Sequence, residues 1–246
     1  MTPTDAQRLA ETQHPGGYPV MRQRWSGLLF LHWPVAPDLI QERLPQGLFV
    51  DLHDGQAWLG VVPFFMERVR PLGLPPLPGL SWFLELNVRT YVHDAAGRPG
   101  VWFFSLNCNQ PLAVGIARRA FHLPYEHATM RSTRSGNQVD YSCRRAGGEE
   151  TARLVYDLAG PATTAPPGSL EWFLVERYLL FSARPDGTVF CGRVHHPPYQ
   201  IAPARCGEWS GAPLVWDGFA APEEGPESML VAAPVDVRIF PLRRLA

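Results

Sequence analysis

Ser81–His93 reads SWFLELNVRTYVH, and the alternation within it decides the fold. Successive side chains of an extended chain point to opposite faces. Phe83, Glu85, Asn87, Arg89 and Tyr91 therefore share one side, and Leu84, Leu86, Val88, Thr90 and Val92 the other. The second face suits a packed core. The first sets an acid, an amide and a base between two aromatic rings, which reads either as the wall of a partly wet chamber or as a charged sheet surface facing solvent. Glu85 and Arg89 lie four residues apart, about 13 Å along a strand. That is too far for a direct ion pair and suits two separate contacts with a ligand.

Working outward, the turn DAAGRPG leads into a partner strand, Gly100–Cys108, in which Trp102, Phe104 and Leu106 stand opposite Val101, Phe103, Ser105 and Asn107. Upstream, Leu48–Met66 reads as a hairpin about Asp54–Gly55, with Pro63 marking an edge or a bend. Arg22–Trp33 has strand composition, and Pro34–Arg43 supplies a short helical segment stopped by Pro45. Pro71–Gly79 (PLGLPPLPG) is a stiff apolar loop, read as a cover over one end of the core or as a polyproline ligand for a partner. Downstream, Pro111–Phe121 is the best helix candidate, with cations late in it where they suit the dipole. Strands are expected near 125–132, 137–145 and 150–158, then a loop at 160–168 and a short helix in Leu170–Leu179 after Ser169. A hairpin of Tyr178–Ala183 with Thr188–His196 and a strand in Met229–Phe240 complete the chain. The expectation is α+β: a mostly antiparallel closed β-barrel with short helices. Residues 1–18 read as a polar N-terminal arm and 19–246 as a single β-barrel domain.

Composition narrows the function classes. In 246 residues, 46% are hydrophobic and 18% charged, enough for a closed core. Twenty-two basic and twenty-three acidic side chains leave a net charge of -1, so no bulk field attracts phosphate backbones or anionic lipid. Neither nucleic acid nor a membrane is expected as a partner. The opening MTPTDAQRLAETQ carries no leader pattern, no run of about 18 apolar residues occurs, and Cys108, Cys143, Cys191 and Cys206 form no CxxC. A cytoplasmic location with reduced thiols is the expectation. All the basic residues are arginine, so no side-chain Schiff base can form.

Several longer segments resemble one family: GLFVDLHDGQAWLGVVPFFMERVRP (47–71), LPPLPGLSWFLELNVRTYV (74–92), PGVWFFSLNCNQPLAVGIARRAFHLPY (99–125), FLVERYLLFS (173–182) and VHHPPY (194–199). Together they resemble the bacterial DUF2071, or YqjF-like, family from about residue 20 to about 240. That resemblance implies the acetoacetate decarboxylase-like superfamily, whose fold is a cone-like antiparallel barrel around a small-acid pocket. The decarboxylase uses a lysine to form an imine with its keto acid. No residue here takes that role, since a guanidinium such as Arg118 or Arg119 stays protonated and is no amine nucleophile.

The candidate site follows from residue chemistry. Glu85 and His195 are the candidate catalytic proton-transfer groups, and Arg89 is the natural carboxylate clamp. Asn87, Asn107, Tyr125 and Arg177 are candidate ligand-binding groups. Their structural alternatives are helix capping around Asn107–Gln110, a salt bridge at Arg177 and a turn contact at His195. No GxGxxG, P-loop, HExxH or GxSxG occurs and the histidines lack paired spacing, so no cofactor and no metal is expected. Two functions stay open: a lysine-independent enzyme acting on a small organic acid, and a non-catalytic carboxylate-binding or sensory module. A small organic acid and, in a homo-oligomer, another copy of the chain are the partners expected.

Overall fold

The computed structural model describes residues 2–158 and 160–245, so the extreme ends of the expected arm and domain lie outside the described residues. The alternating stretches form strands in this order: β1 (Met21–Ser26), β2 (Leu28–Val35), β3 (Leu48–Val50), β4 (Ala57–Pro71), β5 (Phe83–Asp94) and β6 (Pro99–Cys108). There follow β7 (Tyr125–Ser135), β8 (Gln138–Arg145), β9 (Ala152–Asp157), β10 (Leu179–Ala183) and β11 (Val189–His195). Short pieces β12 (Ile201–Pro203) and β13 (Arg205–Glu208), then β14 (Ser228–Ala232), β15 (Val235–Ile239) and β16 (Arg243–Arg244), complete the strands. The helices are α1 (Asp5–Glu11), α2 (Pro37–Gln41), α3 (Pro111–Phe121), α4 (Leu170–Val175) and α5 (Ala212–Trp216). The result is a mostly antiparallel sheet with short helices.

Pairing explains how one sheet makes two surfaces. β5 is flanked antiparallel by β4 and β6. β4 continues through β1, β15 and β11 to β10, and β10 meets β6 in a short parallel contact at Leu180–Val101 and Phe181–Trp102. Gly100 permits that contact, because a Cβ there would lie 2.7 Å from the Leu179 carbonyl oxygen. The far end of the same β6 edge pairs in parallel with β7, which starts a second leaf, β7–β8–β9–β13.

Each face of β5 has its own core. Leu86 and Val88 pack with Leu29, Leu31, Leu59 and Val61 against Tyr141, Leu154 and Tyr156 of the second leaf. The opposite faces bring Leu28, Phe30, Val62, Phe64, Phe83 and Tyr91 into a separate cluster around a cavity. The period-2 alternation of SWFLELNVRTYVH thus sorts two environments, and the mixed face points inward.

The segment expected to be a polar arm contains a capped helix. Thr4 and Gln7 form a reciprocal capping box at the start of α1. Arg8 from this helix is buried and binds Asp51 with both terminal nitrogens, at 2.5 and 2.7 Å. Among the described residues, no helix is long and apolar enough to cross a membrane.

Candidate functional site

The cavity has a volume of about 340 Å³ and runs along the inward face of β5. That lies near the lower end of the roughly 300–1,000 Å³ usual for organic-ligand sites. Its walls are mainly Leu, Val and Phe, and its polar lining includes Glu85, Asn87, Arg89, Tyr125 and Arg177. Five of the seven residues singled out from sequence therefore meet in one chamber.

Arg89 and Arg177 mark the inner end, and α4 holds both. The last carbonyls of a helix have no partner within it. Here Phe173 O accepts from Arg177 Nε at 2.8 Å, while Leu174 O accepts from Arg89 Nη2 at 2.8 Å and from the Tyr91 hydroxyl at 2.7 Å. Two cations at a helix C-terminus are favoured by its partial negative charge. Aromatic faces add to this: Arg89 lies 5.2 Å from the Phe30 ring centre, and Arg177 lies 4.2 Å from that of Phe173.

The two arginines differ in charge compensation. Arg177 Nη1 binds Asp51 at 2.7 Å, on the same oxygen that takes Arg8 Nη1. Burial alone would raise the Asp51 carboxyl, and the neighbouring Arg177 and Arg8 reverse this, holding it below its ordinary value. Burial in turn lowers Arg177 to about 10, against the pull of Asp51, so it remains a cation at neutral pH. Arg89 is 9% exposed and meets no carboxylate among the described residues. Arg89 Nε, Arg177 Nη2 and Asn87 Oδ1 are buried without a hydrogen-bond partner among those residues. A buried cation lacking a counter-charge is costly; Arg89 is one, and Arg89, Arg177 and Asn87 all line the cavity while each keeps a buried polar atom unpaired.

Glu85 lies toward the other end. Its Oε2 accepts from the Tyr125 hydroxyl at 2.7 Å, and burial pushes its pKa from 4.5 up to about 7, against the restraint of that hydrogen bond. Burial likewise raises Tyr125, with the Glu85 charge adding to the effect, so the phenol stays protonated and donating. Tyr125 opens β7, and Arg118 of α3 fixes its backbone by donating to its carbonyl at 2.5 Å.

Asn107 and His195 lie elsewhere. β6 carries a bulge: Arg89 pairs with Phe103 but Val88 pairs with Ser105, leaving Phe104 as the extra residue. Val101 and Phe103 face the chamber, and beyond the bulge Leu106 does so while Ser105 and Asn107 turn away. Asn107 instead donates to Leu86 O and accepts from Arg145 Nε at 2.9 Å, in a buried network with Ser105 and Asp217. Val194 lines the chamber, so His195 faces outward, against His14 at 4.7 Å between ring centres. His196 is the imidazole that turns inward; it stacks on Tyr178, and burial lowers it to about 4. Neither histidine lines the cavity.

Two further imidazole and glycine positions shape the inner end. His32 Nε2 lies 2.7 Å from the Tyr91 hydroxyl, and burial, followed by the Arg89 charge, keeps this ring well below its ordinary pKa and hence neutral. Gly60 of β4 pairs with both His32 and Arg89. A Cβ there would lie 3.1 Å from His32 Cδ2 and 3.3 Å from Arg89 Cγ, so the missing side chain gives both groups their space. Asp51 carried a sequence signal of its own, a lone acid inside the apolar run LFVDL; Arg177, a candidate from sequence, both lines the chamber and makes the salt bridge that was its alternative, while Arg8 carried no signal.

The outer end is apolar. Leu74, Leu77 and Leu80 of the proline-rich loop and Leu112 and Ile116 of α3 line it while remaining substantially exposed. The loop is tied down by Ser81 Oγ, which accepts from Leu77 N at 2.8 Å, and by Gln110 Nε2, which donates to Gly79 O at 2.6 Å. Of the two roles open to this loop, the arrangement has its leucines covering one end of the interior.

Comparison with known proteins agrees with this architecture. The DUF2071 family model, described as an uncharacterized conserved protein, matches residues 22–236. The chain is 36% identical over 231 residues to "Uncharacterized protein YqjF" of Bacillus subtilis (strain 168), covering 94% of each. Among solved structures, the enduracididine biosynthesis enzyme MppR complexed with pyruvate superposes with a TM-score of 0.63 at 16% identity, over 97% of this chain and 94% of that one. An acetoacetate decarboxylase-like enzyme from Sphingomonas wittichii RW1 gives 0.62 at 14% identity, over 93% and 94%. These two likenesses show a shared fold.

Proposed function

The chain belongs to the DUF2071 family, and from that premise we propose that its chamber takes up an organic carboxylate and works on it without a lysine. The observation that carries this reading is Arg89, a buried cation in the chamber wall with no carboxylate among the described residues to neutralise it. A ligand carboxylate supplies the missing charge, with Arg177 Nη2 as the second donor. In the same reading the strands β4–β1–β15–β11–β10–β6–β5, with β5 returning to β4, close as a barrel around the ligand. The pyruvate in the MppR complex is itself a small carboxylate, which supports this ligand class.

Glu85 is the proton-transfer group in this reading. With a pKa of about 7 it exists in both protonation states at neutral pH, the condition in which a general acid or base is most effective. The Tyr125 hydroxyl orients it, and Asn87 stands between it and Arg89 to meet a donor on the ligand. The complete absence of lysine favours a second reading, binding without turnover as a sensory or carrier module.

Calorimetry with matched carboxylates and amides, on the intact chain and on Arg89→Met, tests the binding claim. Acids binding and amides failing, with the preference lost in Arg89→Met, supports it; equal binding of acids and amides overturns it. Proton exchange at ligand carbon in deuterated buffer, lost in Glu85→Gln, separates the enzyme from the binding module.

A further inference from the structure

The chamber is polar at its inner end and apolar at its outer end, and the apolar end does not stop at the surface. Leu74, Leu77, Leu112 and Ile116 line the cavity and are nevertheless 57%, 52%, 53% and 50% exposed. Leu80, which also lines the cavity, is 41% exposed, and Leu72 and Trp82, close by in sequence, are 41% and 45% exposed. A contiguous apolar patch of this kind marks a binding surface rather than ordinary exposure. Its position at the mouth, sharing residues with the lining, ties it to whatever enters the chamber.

Length points the same way. Arg89 and Phe83 are six residues apart on β5, about 20 Å of extended strand. An extended chain advances roughly 1.2 Å per bond, from about 3.5 Å per three-bond residue, so a buried tail of roughly seventeen bonds would span that run. An acid of three or four carbons held at Arg89 would reach no farther than the neighbourhood of Asn87. It would leave Phe64, Phe83, Leu106 and the whole mouth without an apolar partner.

We infer that the ligand is an amphiphile: a carboxylate anchored at Arg89 and Arg177, continued by a flexible hydrocarbon chain that lies along β5 and leaves between the proline-rich loop and α3. This inference rests on the carboxylate reading above and adds the substrate class. Gln110 at the start of α3 ties down the loop at Gly79, and Ser81 closes the loop on itself, so the leucines of loop and helix form the two sides of the exit. Each buried methylene contributes roughly 0.8 kcal/mol, about a fourfold gain in affinity.

The test is a calorimetric series of straight-chain acids from acetate to hexadecanoate, with the primary amide of each, kept below the concentration at which the acids aggregate. Affinity should rise about fourfold per methylene and level off once the tail reaches the mouth. Leu77→Ser/Ile116→Ser should reduce the increment to less than twofold per methylene for the longer acids, with Leu74→Ser as a second variant if the double substitution melts. An affinity that does not change with chain length overturns the inference; if acids still outbind amides in that case, the carboxylate reading survives. Acids and amides binding alike at every length removes the carboxylate reading instead. A ligand-free dimer that Ile116→Ser dissociates also overturns the inference, because the patch would then belong to a second copy.

Discussion

Gly60 and Arg89 face each other across β4 and β5, and the side chain that Gly60 lacks is the space that Arg89 shares with His32. The inner end of the chamber therefore depends on a residue that touches no ligand. Gly60→Val forces a branched side chain against His32 and the Arg89 stem, where overpacking costs about 1–3 kcal/mol. Carboxylate affinity should fall at least tenfold while the far-ultraviolet dichroism stays native. Unchanged affinity would show that Arg89 tolerates displacement.

Arg89→Met removes an uncompensated buried cation and fills its volume with an apolar chain. Such exchanges are neutral or stabilising for stability, whereas loss of one partner of a buried charged contact costs a complex about 2–5 kcal/mol. The ligand-free melting temperature should stay level or rise, with carboxylate affinity falling at least thirtyfold. A marked drop in melting temperature would mean that Arg89 has a structural counter-charge after all.

Asp51→Asn leaves Arg8 and Arg177 buried without their shared carboxylate. The expected loss is about 3–5 kcal/mol in a denaturant titration at pH 7. The folded pKa of Asp51 is below its ordinary 3.8, so its contribution is present above about pH 4 and disappears as pH falls through the folded value. The stability difference between wild type and Asp51→Asn should shrink in that acidic window and nowhere above it.

Glu85 carries the opposite sign. Its folded pKa of about 7 exceeds the ordinary 4.5, so the folded state suffers no penalty below pH 4.5 and a growing one as pH rises toward 7. Above pH 7 the cost levels off at about 3 kcal/mol, from 1.36 kcal/mol per pKa unit. Glu85→Gln should therefore be more stable than wild type at pH 8 and nearly equal at pH 4.5. A constant difference across this range would refute the elevated pKa.

Much of the inner wall was legible because it follows a local rule. Alternation along SWFLELNVRTYVH needs only neighbours in sequence, so Glu85, Asn87 and Arg89 were assigned to one face before any pairing was known. Asn107, a candidate from sequence, turns away from the chamber for a specific reason: the bulge at Phe104 reverses the alternation midway through β6, and nothing in GVWFFSLNC announces it. His195 and its neighbour His196 point in opposite directions, and which of them turns inward depends on Val194 facing the chamber, which the sequence does not announce. The Arg8–Asp51–Arg177 contact joins positions separated by 43 and 126 residues, and Gly60 matters only through strand register. Both are properties of the folded pairing and have no local signature.

The Asp51 contact also sets a timetable for synthesis. Arg8 and Asp51 leave the ribosome early, Arg177 much later, and β15, whose edges join β1 and β11, almost at the end. A nascent chain stalled between Asp51 and β15 holds the acid and its first arginine but lacks the strand that joins β1 to β11. The seam between β1 and β11 therefore closes only when β15 arrives, and a chain cut before Val235 keeps the Arg8–Asp51 pair without that seam.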